Sequence, residues 1–471
     1  MSTLDRLRDI VKPRSPVPVV AETAGAGHDV FEHRYSTGAA ADYTRAAVDL
    51  GGALVQRAEG VVIVVDREYR ADMLHGRMPI GAIADTIDQG VDALQVMARA
   101  WPAFAPPPSS GATAGRPAFA PPPPAFAAAP ANVSGRGLLF LDLETTGLFG
   151  GAGTQAFLVG CASIDGSSIR VRQFLLPGFE HERALLAEVQ AFAAAHSSVC
   201  TYNGRSFDVP LMETRFLFHR VPCVFDGVPH LDMLHAARRL WKQRPLTMGT
   251  PDPDESSCSL AVLEKQIAGL HRVGDVPGYE IPSRFFQFVR DGNARRLEAV
   301  LEHNRLDLIS LAAVLARAIT LIESGPSIAA TAQEAYGLAR VYERAGAYDN
   351  AEAALLMAIG FAKRVGAEPE LHAEALRRLA WIRRRDRRPH EAAEAWQELA
   401  ALPRCAAALR REAKEALAIH HEHRVKDLRT ARQHALDLLM DADAHHGRLR
   451  HRLDRLERKL SRHTATLPIH D

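Results

Sequence analysis

The sequence is short of cysteine, of aromatic residues and of net charge. Its five cysteines, Cys161, Cys200, Cys223, Cys258 and Cys405, are odd in number and form no CxxC pair. That pattern excludes a disulfide framework and a zinc ribbon, and it fits the reducing cytoplasm. No charge-free run of about 18 apolar residues occurs, so no membrane span is expected. The opening residues, MSTLDRLRDIVKPRSP, lack the apolar stretch of a signal peptide. The formal net charge is only +1. The whole molecule therefore carries no strong field toward nucleic acid or membrane, although a site that recruits metal ions to offset phosphate charge is not excluded.

Apolar residues are plentiful, at 47%, and 471 residues exceed what one ordinary domain needs. Residues 102–135 are built from Pro, Ala, Gly and Ser (PAFAPPPSSGATAGRPAFAPPPPAFAAAPANVS over 102–134) and read as an extended linker. Before it, residues 1–101 read as a small α/β region. Residues 53–69 suggest two short strands around Gly60, and residues 82–101 have helical periodicity. His75 in MLHGR reads as a surface or core histidine. After the linker, 136–320 opens with three consecutive strands, GLLFLDLE, AFLVGCASID and SIRVRQFLLP. Strand and helix then alternate, Ser259 is a fitting N-cap, and 293–319 forms a long amphipathic helix. The expectation is a mixed α/β sheet with helices on its faces. Residues 330–462 are nearly all helical and internally similar: 335–358 aligns with 375–400, and more loosely with 415–439. The pattern resembles tetratricopeptide repeats, which suit partner binding, but its spacing is nearer 40 than their usual length of about 34 residues.

The chemistry is concentrated in acids. LDLETTG (141–147) places Asp142 and Glu144 two positions apart inside an apolar run. On a strand, such residues share a face, while Leu141 and Leu143 point into a core. Two adjacent carboxylates repel and drive each other toward protonation; a hard divalent cation such as Mg²⁺ or Mn²⁺ removes that cost. Asp208 lies early on a helix within TYNGRSFDVPLMETRF, one turn inside its start. His303 and Asp307, in EHNRLDLISL, stand at i and i+4 on one helical face. Each alone has an ordinary structural explanation, in helix-dipole compensation or a local hydrogen bond. The joint occurrence is what points to a site.

These segments also carry a resemblance. FLDLETTG, YNGRSFDVP and HNRLD resemble the three exonuclease motifs of the DEDD superfamily, whose fold is ribonuclease H-like. YNGRSFD is similar to the second motif of family-B DNA polymerase proofreading domains. CSLAVLEKQIAG and DVPGYEIPSRFFQF look like the bacterial YprB-like group of ribonuclease H-like proteins. The resemblance covers about residues 136–319 and implies a 3′–5′ exonuclease acting on DNA or RNA through two divalent ions, Mg²⁺ or Mn²⁺. It implies Asp142, Glu144, Asp208 and Asp307 as metal ligands, with His303 as general base. Thr145, Asn203 and Phe207, inside the same motifs, become candidate substrate contacts. The family carries either Tyr with three residues between it and the last Asp, or His with four. Here a His stands at the Tyr spacing.

Other signals are weaker. Phe149, in the Gly-rich GLFGGAGTQ, could stack on a base or simply pack. RRLWKQR (238–244) reads as a helix face with a buried Trp241, HHEH (420–423) and RRRDRR (383–388) read as solvated, and Asp232 reads as a spare acid. DLETTGLF superficially resembles the D-x-D-G-T motif of haloacid-dehalogenase-like phosphatases. Its second acid is Glu, however, no Gly follows, and no paired downstream acid motif occurs. A non-catalytic nuclease-like scaffold, binding nucleic acid or recruiting a protein partner through its repeats, is the remaining alternative.

Overall fold

The computed structural model describes residues 39–100, 135–147, 153–242, 258–365, 368–439 and 446–464. The linker expected at 102–134, and Phe149, lie outside these residues. Nine strands are described: β1 (Ala53–Arg57), β2 (Gly60–Tyr69), β3 (Leu74–His75), β4 (Met78–Pro79), β5 (Leu138–Thr145), β6 (Ala156–Asp165), β7 (Ser168–Leu175), β8 (Ser198–Thr201) and β9 (His230–Asp232). Seven form one sheet in the order β1-β2-β7-β6-β5-β8-β9, and β3 and β4 form a separate hairpin. Neighbours from β1 to β5 are antiparallel, whereas β5, β8 and β9 run parallel. The sheet is mixed, as expected.

Side-chain alternation on β5 assigns the two cores. Leu139, Leu141 and Leu143 enter one; Leu138 and Phe140 enter the other. Before β8, helices flank the sheet as α1 (Ala39–Asp49), α2 (Ile80–Gln89), α3 (Val91–Ala100) and α4 (Glu182–Ala193). After β8 come α5 (Asp208–Phe218), α6 (Met233–Leu240), α7 (Leu260–Ile267), α8 (Ile281–Asp291) and the long α9 (Glu298–Ser324). α9 crosses the face of Leu138 and Phe140, lying on β5, β6 and β7 and packing against α2, α3 and α7. α4 and α8 fill the opposite core, where Phe157 stacks on Phe285 with ring centroids 4.2 Å apart. Such a pair contributes about 0.5–1.5 kcal/mol beyond its buried area.

β1 and β2 lie within residues 1–101, which composition sets apart from the rest, yet they are the outer strands of this same sheet. β2 pairs with β7 from Ile63↔Leu175 to Tyr69↔Ile169. The described residues from 42 onward form one compact unit. The β3–β4 hairpin docks on the C-terminal end of α7: Arg77 donates to the Gln266 and Ile267 carbonyls, and its own amide donates to that of Ala268. These carbonyls are among those a helix end leaves unpaired.

The C-terminal region is helical throughout its described residues. The three similar sequence segments fall on successive helix pairs: α10 (Ala332–Ala345) with α11 (Tyr348–Val365), α12 (Pro369–Arg385) with α13 (Pro389–Ala401), and α14 (Ala407–His420) with α15 (Leu428–Leu439). A last helix, α16 (His446–Thr464), follows. Each packs on its successor, and α10 also packs on α6 and α3. Trp241 and Arg317 both donate to Glu334 at the start of α10, pinning the helical region to the sheet's helices.

Glu182, at the start of α4, is a thoroughly paired buried acid among the described residues. It accepts from Arg215 at 2.5 and 2.6 Å, from Gln155 at 2.9 Å and lies 2.8 Å from His219 Nε2. Burial alone would raise its pKa, but these partners outweigh it and hold the carboxyl low. Its stabilisation is therefore present above the ordinary glutamate range and lost as pH falls through the lowered native value. Glu182→Ala strands Arg215, itself 3% exposed. The expected loss is about 3–5 kcal/mol, read by urea unfolding at pH 7; a loss under about 1 kcal/mol would show that the pair stabilises nothing.

Candidate active site

Asp142 and Glu144 continue the row of Leu138 and Phe140 along one face of β5. β8 covers that strand's edge only at Leu138, Leu139 and Phe140. The two acids thus stand beyond the paired part, in the crevice at the carboxyl ends of the parallel strands, where open α/β sheets bind ligands. A register shift between Glu144 and Thr145 ends regular pairing with β6.

The structure brings all four motif acids together. Asp142 is pushed well above the usual carboxylate range, first by burial and then by the charges of Asp307, Glu144 and Asp208. Glu144 is raised by burial and by Asp307, Asp208 and Asp275. Asp208 rises to about 7, mainly through burial, with Asp232 adding to it and backbone N–H donors opposing. Asp307 is raised by burial despite the nearby Arg272 and His303.

Asp142, Asp208 and Asp307 are held by neighbours to which the sequence reading gave no role. Asp142 Oδ2 accepts from Asn304 Nδ2 at 2.8 Å. Asn304, fully buried on α9, accepts in turn from Gln173 Nε2 at 2.8 Å, and Gln173 also donates to the Leu301 carbonyl. Asn304 reaches Asp142 across Gly160, the β6 partner of Asp142. A Cβ at Gly160 would lie 2.0 Å from Asn304 Oδ1, so only glycine leaves this path open.

Asp208 opens α5 as its first residue, not one turn inside. The loop before it is fixed by Asp232, which accepts from the Asn203 amide at 2.8 Å, from the Arg205 amide at 3.2 Å, and from Leu234 N as the α6 N-cap. Asp232 is therefore no spare acid. Asn203 sits in the left-handed region at φ 66°, where Asn is among the few tolerated side chains. A Cβ at Gly204 would come 2.6 Å from Asp208 Oδ2, so the loop needs glycine there to lie against the carboxylate.

Asp307 belongs to an ion network. Arg272 donates to Asp307 at 2.5 Å, to Glu264 at 2.7 and 2.8 Å, and to Asp275 at 3.2 Å. Burial would lower Arg272's pKa, but Glu264 and Asp307 raise it further. Glu264 also accepts from Ser310, whose hydroxyl lies 2.8 Å from the buried His75 of the N-terminal hairpin. His75 is kept neutral, with its pKa pushed down to about 4 by burial and by Arg272. A neutral Nε2–H is then the donor to Ser310. His303 lies between two acids, with Nδ1 2.7 Å from Asp275 Oδ1 and Nε2 3.5 Å from Asp307 Oδ2. Burial favours neutral Asp275, but His303 and Arg272 outweigh it and hold its pKa low.

The candidate substrate contacts divide. Thr145 turns its hydroxyl to the Gly147 carbonyl at 2.8 Å. Asn203 is placed by its backbone, as described. Phe207, 58% exposed, presents its ring to solvent immediately before Asp208.

The donor set is four hard carboxylate oxygen ligands whose mutual repulsion a divalent cation would relieve. It fits Mg²⁺ or Mn²⁺ by chemistry. Among the described residues no three His, Cys, Asp or Glu side chains already stand as a ligand group, and Asp307 is held by Arg272.

Comparison with known proteins bears on the family. Residues 139–319, from β5 through most of α9, match the RNase_H superfamily. The chain is 32% identical over 342 residues to the uncharacterised protein YprB of Bacillus subtilis (strain 168), covering 69% of this chain and 75% of that one. This chain belongs to the RNase_H superfamily. Among solved structures, this superfamily member is similar to the family B DNA polymerase of the archaeon Pyrobaculum calidifontis. The TM-score there is 0.31 and the identity 14%; the likeness covers 49% of this chain and 29% of the polymerase. Among the described residues, no helix is long and apolar enough to cross a membrane.

Two outcomes follow from this geometry. Because native Asp208 holds its proton up to about pH 7 while an unfolded Asp releases it near 3.8, its contribution is present at acid pH and lost as pH rises. In EDTA, Asp208→Asn should therefore be stabilised relative to wild type by a margin that widens from pH 5 to pH 8; a margin constant with pH would exclude the raised pKa. Gly160→Ala should cost about 1–3 kcal/mol through overpacking. In an Asn304→Ala background most of that cost should vanish, and equal losses in both backgrounds would show that Asn304 is not the obstacle.

Proposed function

We propose that this protein is a metal-dependent nuclease that hydrolyses phosphodiester bonds, as a 3′–5′ exonuclease. The convergence of Asp142, Glu144, Asp208 and Asp307 on one crevice, each raised by burial and two of them, Asp142 and Glu144, also by their fellow motif acids, supports this reading most directly. Asp142, Glu144, Asp208 and Asp307 would hold two divalent ions. Bound there, such ions would supply an activated water and stabilisation of the departing 3′ oxygen.

The chain's own groups would then orient and move the proton. Asp275 holds His303 through Nδ1, which leaves Nε2 on the side of Asp307. From there His303 would take the proton of the attacking water. Asn304 keeps the Asp142 carboxylate turned into the crevice. Phe207 would stack on a terminal base, with Thr145 and Asn203 beside it. The helical region would be tetratricopeptide-like. A nuclease-like scaffold is the alternative function, favoured by one observation: Arg272 already holds Asp307.

The test is cleavage of 5′-labelled single-stranded DNA and RNA of equal sequence with Mg²⁺, Mn²⁺ or EDTA. A metal-dependent ladder is expected, lost in Asp142→Ala and slowed about 10²–10⁴-fold in His303→Ala. Cleavage that survives EDTA, or persists in Asp142→Ala, would overturn the assignment. Absence of cleavage on single strands and duplexes alike would favour the scaffold.

A further inference from the structure

The helical region contains a cavity of about 490 Å³ between α13, α14 and the end of α12. Its rim carries Arg384, Arg387, Arg424, His420 and His423, with Trp396 and Ile419 among its apolar lining residues; no acidic side chain lines it. Neighbouring arginines behave differently. Arg377 pairs with Glu412, Arg378 with Glu343, and Arg383 and Arg388 with Glu352. Among the described residues, Arg384, Arg387 and Arg424 have no carboxylate partner. Arg384 lies instead 5.2 Å over the Trp381 ring.

The backbone around the cavity is unusual as well. Arg387 adopts φ 59°. α14 ends in a π-helical turn, His421–Val425, closed by Lys426 at φ 63°. Left-handed conformations are uncommon for residues other than glycine, and π-turns occur frequently at functional sites. The turn presents His423 and Arg424 outward while Glu422 turns inward to Arg455 and Lys459. HHEH is thus not a uniformly solvated face.

We propose that this cavity binds single-stranded nucleic acid, with the three arginines on its phosphates and a base laid against the apolar floor. A cationic rim over apolar surface is the combination single-strand binding requires. Guanidinium groups suit carboxylates also; the strand is preferred because the acidic crevice already points to a phosphodiester substrate, so this inference rests on the nuclease reading. It gives the helical region a direct part in holding the substrate.

Fluorescence anisotropy in EDTA, with short labelled DNA and RNA strands and the full chain, tests it without cleavage. Arg384→Gln with Arg424→Gln, both on exposed positions, should weaken binding about tenfold at 0.1 M salt and flatten the salt dependence. Melting temperature should be unchanged. Affinity equal to wild type, or no strand binding by wild type, would overturn the proposal; so would an oligo-glutamate peptide that binds the cavity more tightly than either strand. The two readings fail separately. A chain that binds strands through these arginines but cleaves nothing loses the nuclease assignment and keeps the cavity. A chain that cleaves but binds independently of them does the reverse.

Discussion

The repulsion among four half-buried carboxylates is the constraint on which the rest of the structure depends. A protein interior disfavours even one unpaired charge, and each acid here raises the cost of another. Such a cluster persists only if surrounding elements fix it more strongly than it repels. β5 fixes Asp142 and Glu144 by alternation, since any one-residue slip would bury them with Leu139 and Leu141. α9 fixes Asp307, and carries Asn304 one turn before it to hold Asp142. The loop before α5 is fixed by Asp232 from the next strand. Rigid elements, not mobile loops, set most of the geometry.

Compensation is partial and uneven. Arg272 answers Asp307, Glu264 and Asp275 together, while among the described residues Asp142 and Glu144 receive no cationic partner of comparable strength. This gives the N-terminal residues a structural reason to join the same body. The β3–β4 hairpin caps α7, which carries Glu264, and His75 reaches the same carboxylate through Ser310. Arg272 is thereby held from behind by residues nearly two hundred positions away. Its grip on Asp307 depends on a segment that composition alone separates from the catalytic-looking part.

How much of this was legible in the sequence follows from the range of each signal. Asp142 and Glu144 could be read locally, because period-two alternation places them on one face. Asp208 and His303–Asp307 became informative only in combination and through resemblance. Asn304, Gln173, Asp275 and Arg272 were invisible: each is an ordinary polar residue whose meaning lies in a contact formed after folding. Asp232 looked spare for the same reason, since its partners are backbone amides of another strand's loop. Membership of β2 in the sheet was equally hidden. Its pairing with β7 joins residues about a hundred apart, and no local pattern encodes a long-range partner. Helix pairs in the C-terminal region were legible because their packing is local and repeated.

Net charge illustrates the limit of a global number. A formal +1 argues against a field that gathers nucleic acid, yet the charge is not spread evenly. Residues 330–462 hold 26 Arg and Lys against 20 Asp and Glu, so the remainder is net negative. An acidic crevice repels a polyanion until cations occupy it, and at about 0.15 M ionic strength charges more than about 8 Å away are largely screened. Attraction must then come from groups near the strand itself. The arginines at the helical cavity are separated from the acids by being on another part of the chain, where they need not neutralise the carboxylates that the proposed metals would require. Had the same arginines stood beside Asp142 and Glu144, they would have relieved the repulsion that makes those acids a candidate cation site. Separation of the two charges lets one chain hold both.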